Sequence, residues 1–160
     1  MPSFRTTRFV RHSPEEMFDL VADVERYPEF LPMCESLRVL RRTPAGEGVE
    51  TLVADMSVGY KAIRESFTSR VNLDRPRRVI DVEYVDGPFR HLHNRWTFSP
   101  QGDGCEVEFD IDYEFKSRML SYVMGAVFDR AFRAFTGAFE ARADRIYGSV
   151  APSRRRAERA

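Results

Sequence analysis

Lysine is nearly missing from this 160-residue chain: Lys61 and Lys116 are the only two, and the other basic side chains are arginines. Basic and acidic side chains balance at 25 each, so no net charge draws the molecule to polyanions and DNA is not an expected partner. Cysteine is scarce as well. Cys34 and Cys105 lie far apart, without the short spacing of a metal site or a redox pair. No run of about 18 apolar residues suits a membrane-spanning helix, and no basic, apolar leader opens the chain. These absences lead to the expectation of a cytoplasmic protein with reduced thiols. Phosphate loops, dinucleotide fingerprints and Gly-x-Ser-x-Gly segments are lacking, and there are only three histidines, His12, His91 and His93. Catalytic chemistry has little to work with, so the expectation is a protein with no catalytic residues and no metal.

What is present suits one domain with a substantial core. "PSFRTTRFVRH" alternates loosely, with Phe4 and Phe9, as a first strand. In "SPEEMFDLVADV", Ser13 is a good N-cap, Pro14 fits the first helical position and Glu16 completes a capping box. Met17, Phe18, Val21 and Val24 give that helix an apolar side. Next comes "DVERYPEFLPMC", in which Pro28 starts a second short turn and Pro32 ends it. This helix-break-helix corner holds Tyr27, Phe30, Leu31, Met33 and Cys34, far more apolar surface than a loop usually carries.

From Ser36 to Lys116 the period becomes two. "LRVL" is a strand ended by "TPAGEG". Leu52, Ala54, Met56, Val58 and Tyr60 share a face of the next strand, and Ile63, Phe67, Val71 and Leu73 a face of the one after. Ile80, Val82 and Tyr84 precede "DGP"; Leu92, Trp96 and Phe98 follow it; the hairpin "SPQGDG" leads to Val107, Phe109, Ile111, Tyr113 and Phe115. This is an antiparallel meander with one buried and one wet face. His91, His93 and Arg95 fall on the wet face opposite the acidic row Glu106, Glu108, Asp110, Asp112 and Glu114, a pattern of cross-strand pairing rather than an ion site. Ser117 then caps a helix from Arg118 to about Tyr147, with a stripe through Leu120, Met124, Val127 or Phe128, Ala131 or Phe132, Phe135, Phe139 and Ile146. Gly125, Ala126, Ala131, Ala134, Gly137 and Ala138 keep it slim, which either permits close packing on the sheet or leaves room for a guest. Residues 1–148 form the expected domain, and residues 149–160, with Arg154, Arg155, Arg156 and Arg159, an expected disordered basic tail.

"FDLVADVERYPEFLPMC", "DGPFRHLHNRWTF" and "VEFDIDYEFKSRML" together resemble the coenzyme Q-binding, START-like proteins of the polyketide cyclase/dehydrase superfamily, over about Ser3 to Tyr147. The resemblance implies an α+β helix-grip fold, a curved antiparallel sheet wrapped around a long C-terminal helix with two short helices after the first strand. One branch of the family is associated with ubiquinone binding and respiratory electron transfer without being an enzyme. Another is described as a toxin that binds the large ribosomal subunit. The superfamily name also covers small-molecule cyclases and dehydratases. The family often has tryptophan where Met33 stands; methionine is apolar and adaptable, so the departure alters pocket shape more than class.

Taken from the residues alone, the corner reads as a plug for the end of the core; the resemblance makes it the wall or lid of a ligand pocket. The expected pocket residues are Tyr27, Phe30, Leu31, Met33, Met56, Tyr60, Phe67, Asn94, Trp96, Met124 and Phe128. Two polar residues fall on inward faces, Glu65 and Asn94, and are the candidate head-group contacts. Alternatively Glu65 pairs with Arg64 or Arg95, and Asn94 ties down backbone. The ligand that the resemblance implies is ubiquinone or another hydrophobic molecule, held non-covalently, with transient contact at the inner-membrane surface; the ribosome is the alternative partner.

Overall fold

Ser13 starts the first helix, shortly after the first strand ends. In the computed structural model, which describes residues 3–60 and 62–148, its hydroxyl accepts the Glu16 N–H at 3.0 Å while the Glu16 carboxylate accepts the Ser13 N–H at 2.9 Å. The capping box and Pro14 thus set the start of α1, Pro14–Ala22, which follows β1, Ser3–Val10. Met17, Phe18, Leu20 and Val21 of α1 are buried. A 3-10 helix, Val24–Glu29, succeeds it after one residue. Pro28 lies inside this helix rather than starting a new turn.

Six strands follow: β2 Cys34–Gly46, β3 Val49–Tyr60, β4 Ile63–Asp74, β5 Val79–Asp86, β6 Phe89–Gln101 and β7 Gly104–Phe115. They form one antiparallel sheet in the order β1-β7-β6-β5-β4-β3-β2. β2 is much longer than "LRVL" suggests. Its second half is an exposed edge with no apolar alternation, and it stays paired to β3 through register shifts at Cys34/Ser36, Val39/Arg41 and Pro44/Gly46. Such bulges bend a sheet. Phe4 and Phe9 stand on opposite faces, as an odd spacing along a strand requires. Phe4 packs on Phe109, with ring centroids 6.2 Å apart, while Phe9 is 41% exposed on the outside.

The long helix α2, Arg118–Tyr147, starts at Ser117, whose hydroxyl accepts the Leu120 N–H at 3.1 Å. Its buried stripe runs through Met124, Phe128, Phe132, Phe139 and Ala143. Ile146 does not continue it and is 51% exposed. At that end α1 crosses the helix, so Ala143 and Tyr147 face it, the Tyr147 hydroxyl donating to the Glu16 carbonyl at 3.2 Å. α2 rests on β7, β1 and α1. This is the helix-grip arrangement. Neither helix glycine is needed for close packing: a Cβ on Gly125 meets nothing within 4 Å, and one on Gly137 meets only the Arg8 side chain. The expected basic tail, residues 149–160, lies outside the described residues.

Candidate functional site

Because α2 leans on the β1–β7 side of the sheet, the concave surface of β2 to β5 is left partly uncovered. A cavity of about 100 Å³ lies there, and with its open mouth the empty space is about 1050 Å³. Its floor is a rigid cluster of rings. Trp96 meets Phe109 at 4.7 Å and Phe139 at 5.0 Å between centroids, and Phe128 packs at 5.4 Å on both Phe89 and Phe115. Edge-on pairs of this kind favour one arrangement over others. Gly87 supports the wall from behind: at φ +146° it brings the β5–β6 turn so close that a Cβ would sit 2.6 Å from that of Phe67.

Of the residues expected from sequence, Tyr27, Met33, Met56, Tyr60, Phe67, Asn94, Trp96, Met124 and Phe128 line this space. Phe30, Leu31 and Glu65 do not. The corner therefore splits. Phe30 sits edge-on to Tyr27 and Phe139 and beneath the Arg142 guanidinium, 5.1 Å from its ring centroid, and Leu31 is buried in the core. These two are plug. Tyr27 is held by donating its hydroxyl to the Val21 carbonyl, and burial pushes that phenol's pKa far above its usual range, so it serves as a neutral wall. Met33 reaches the cavity through a left-handed backbone, φ 67°, which is uncommon for a side chain of its size. The Gly59 N–H donates to its carbonyl at 2.9 Å and pins that turn.

The polar groups on the wall are few. Asn94 Nδ2 donates to the Asp110 carbonyl at 2.8 Å, which fixes the amide orientation, and Oδ1 takes no hydrogen bond among the described residues. Ser69 also lines the cavity, nearly buried, with a hydroxyl that makes no hydrogen bond among the described residues. Ser69 is not among the residues expected from sequence, although it stands between Phe67 and Val71 on the inward face of β4, as Asn94 does on β6. A register shift between Thr68 and Ser69 against β5 marks the place, as bulges beside binding sites often do. Glu65 is only half buried, and neither suggested arginine reaches it: Arg64 pairs with Glu35 at 3.1 Å, and Arg95 grips both oxygens of Asp81 at 2.9 Å.

Cys34 is part of the wall, and burial pushes its thiol up to about 11. A protonated thiol is a poor nucleophile. His93 lies on the outer face with its Nε2 3.1 Å from Asp81, whereas His12 is buried and bonded to Asp144 at 2.7 Å, away from the cavity. The acidic row of β7 meets Arg5, Arg90, His91 and His93, and no cluster suited to a metal ion occurs among the described residues. No helix among them is long and apolar enough to cross a membrane.

Residues 10–140 match the family model described as polyketide cyclase / dehydrase and lipid transport. The chain is 34% identical to the ribosome association toxin RatA of Escherichia coli K12, over 93% of this chain and 91% of that protein. It is 33% identical to the mitochondrial coenzyme Q-binding protein COQ10 homolog B of Xenopus laevis, over 91% of this chain and 59% of that protein. The solution structure of an 18 kDa protein from Caulobacter crescentus superposes with a TM-score of 0.76 at 38% identity, covering 93% of this chain and all of the other. The fold is shared with a START superfamily protein of Mycobacterium smegmatis, with a TM-score of 0.72 at 21% identity over 90% of this chain and 98% of that one. With this match over most of its length, the chain belongs to the polyketide cyclase/dehydrase and lipid transport family, in its START-like, helix-grip form.

Proposed function

We propose that this protein binds an isoprenoid quinone, ubiquinone or a close relative, non-covalently in the cavity and carries it in support of respiratory electron transport, without catalysing a reaction on it. The observation that carries this reading is an open, apolar cavity whose wall keeps two polar groups, Asn94 Oδ1 and the Ser69 hydroxyl, without hydrogen-bond partners among the described residues. Both stay accessible from the cavity rather than sealed in the core, and a quinone or quinol head offers acceptors and donors to meet them. The remaining Asn94 N–H and the Ser69 hydroxyl suit quinone carbonyls, while Asn94 Oδ1 suits a quinol hydroxyl. The enclosed space of about 100 Å³ lies below the roughly 300–1,000 Å³ of common ligand pockets, so a guest fills the open mouth as well. Removing about 300 Å² of apolar surface from water contributes on the order of 7 kcal/mol before the costs of association. The test is mass spectrometry of organic extracts from protein purified without detergent, together with quenching of Trp96, the only tryptophan, by added short-chain ubiquinone. Absence of extracted isoprenoid together with unchanged fluorescence overturns the reading.

A second reading, association with the large ribosomal subunit, is favoured by the relatives named ribosome association toxins. It needs arginines free to meet phosphate. Many of the arginines on the described surface already sit on carboxylates, among them Arg75 on Asp19, Arg78 on Glu15, Arg8 on Glu140 and Arg142 on Glu29. Co-sedimentation with large subunits over a salt series separates the two readings. A cyclase or dehydratase activity, the third, finds no deprotonated nucleophile in Cys34.

A further inference from the structure

The first turns of α2 carry an apolar face that none of the described residues covers. Tyr122 is 91% exposed, Met119 76% and Val123 46%. Met119, Val123 and Val127 recur every fourth residue and so form one stripe along the helix. Val127 and Met124 line the cavity. The stripe therefore runs from open solvent to the wall of the ligand space without a break.

Along this segment itself the charge has one sign. From Phe115 to Phe128 there is no acidic residue, whereas Lys116 and Arg118 are exposed and take no carboxylate partner among the described residues. Arg130, a little further along the helix, is likewise exposed and unpaired among the described residues. Elsewhere on the surface most arginines sit against acids, as above. Cations at a helix start also oppose the positive end of its dipole, so local stability does not account for them.

We infer that the start of α2 is a docking surface for an anionic lipid bilayer, which it meets with Met119, Tyr122 and Val123 at the level of the head groups and Lys116 and Arg118 against lipid phosphates. The inference rests on the reading that the cavity holds an apolar ligand, and it supplies the route by which a water-insoluble ligand enters: the stripe leads from the bilayer surface to Met124 and Val127. Aromatic and apolar side chains flanked by cations are what an interfacial helix presents. A second copy of this chain fits the surface poorly, because pairing it with itself across a two-fold axis brings Lys116 and Arg118 of both copies together. RNA phosphate gains nothing from three exposed apolar side chains.

The test uses the full chain and vesicles of phosphatidylcholine, with and without phosphatidylglycerol. Co-sedimentation with the mixed vesicles is expected to exceed that with phosphatidylcholine alone. The variant Met119→Ser/Tyr122→Ser/Val123→Ser, and separately Lys116→Gln/Arg118→Gln, should each lose roughly tenfold or more in vesicle partitioning, at about fivefold per cation. Both should take up short-chain ubiquinone from solution as the wild type does, read by Trp96 quenching, since none of these residues lines the cavity. Wild-type protein that binds quinone from solution but ignores anionic vesicles overturns this inference and leaves the proposed function standing; protein that binds neither removes both. A triple-serine variant that sediments with vesicles like the wild type also overturns it. So does a wild type that ignores vesicles while binding large ribosomal subunits, or dimerising, through these same side chains.

Discussion

Replacing Asn94 by leucine isolates the part of the cavity that recognises a head group. Leucine keeps asparagine's branching at Cγ, its larger bulk can extend into the open cavity, and it completes an apolar wall beside Val82 and Ile111, its cross-strand neighbours. The fold loses the 2.8 Å bond from Nδ2 to the Asp110 carbonyl, worth about 1 kcal/mol net, and gains apolar burial of similar size. Stability should therefore stay within about 1 kcal/mol of wild type. Binding should not. A neutral hydrogen bond in an apolar cavity contributes about 1–1.5 kcal/mol, so the Kd for a short-chain ubiquinone rises about tenfold. A prenyl hydrocarbon of the same tail length, with no head to recognise, should bind the variant as well as or better than the wild type. Both titrations are read from Trp96, two residues along the same inward face. Equal loss of both ligands, or no loss of quinone, refutes the head-group role of Asn94.

Other outcomes follow from the same geometry. Phe30→Ala removes a ring packed on Tyr27, Phe139 and Arg142 but outside the cavity, so it should cost about 3 kcal/mol of stability and lower Tm in calorimetry while the folded protein keeps its quinone affinity. Gly125→Ala meets no steric contact and should stabilise by about 1 kcal/mol, a Tm rise of about 2–4 °C. Cys34, with its thiol at about 11 against 9.0 for the free group, should resist iodoacetamide at pH 7, and bound quinone should slow the reaction further. The folded state holds that proton longer than the unfolded chain does, so stability falls as pH rises from about 9 to about 11, which denaturation curves across that window check.

How far the sequence could be read depended on whether burial was one-sided. β3 to β7 alternate because one face meets the core and the other meets water, so their inward residues were legible, including Asn94 and Trp96. The capping signals around Ser13 and Ser117 are local chemistry and needed no tertiary context. The second half of β2 was not legible, since an exposed edge held by backbone bonds leaves no apolar pattern. The corner defeats periodicity for another reason. Its backbone changes from a 3-10 helix at Tyr27 to a left-handed residue at Met33, so neighbours in sequence diverge, and Leu31 enters the core while Met33 enters the cavity. Ser69 is small and neutral, and only its place on the cavity wall, with no hydrogen-bond partner among the described residues, separates it from an ordinary strand serine.

The wall and the floor of the cavity differ in stiffness, and that difference bears on what the protein discriminates. The floor is aromatic: Trp96, Phe109 and Phe128 are each locked edge-on by neighbouring rings. Three of the six methionines, Met33, Met56 and Met124, stand on the wall, and a fourth, Met119, lies on the exposed stripe beyond it. Methionine has three rotatable bonds and no branch, so it refits around guests of different length at little cost. Asn94, by contrast, is fixed at a backbone carbonyl and cannot follow a displaced head. A rigid polar point on a fixed sheet and a yielding apolar wall near the mouth together make the head group the discriminated feature and the tail the tolerated one. Affinity should then change steeply when the oxygens of the head are moved and shallowly once the tail outgrows the enclosed space, where further isoprene units remain in solvent or bilayer and bury no additional surface against the protein.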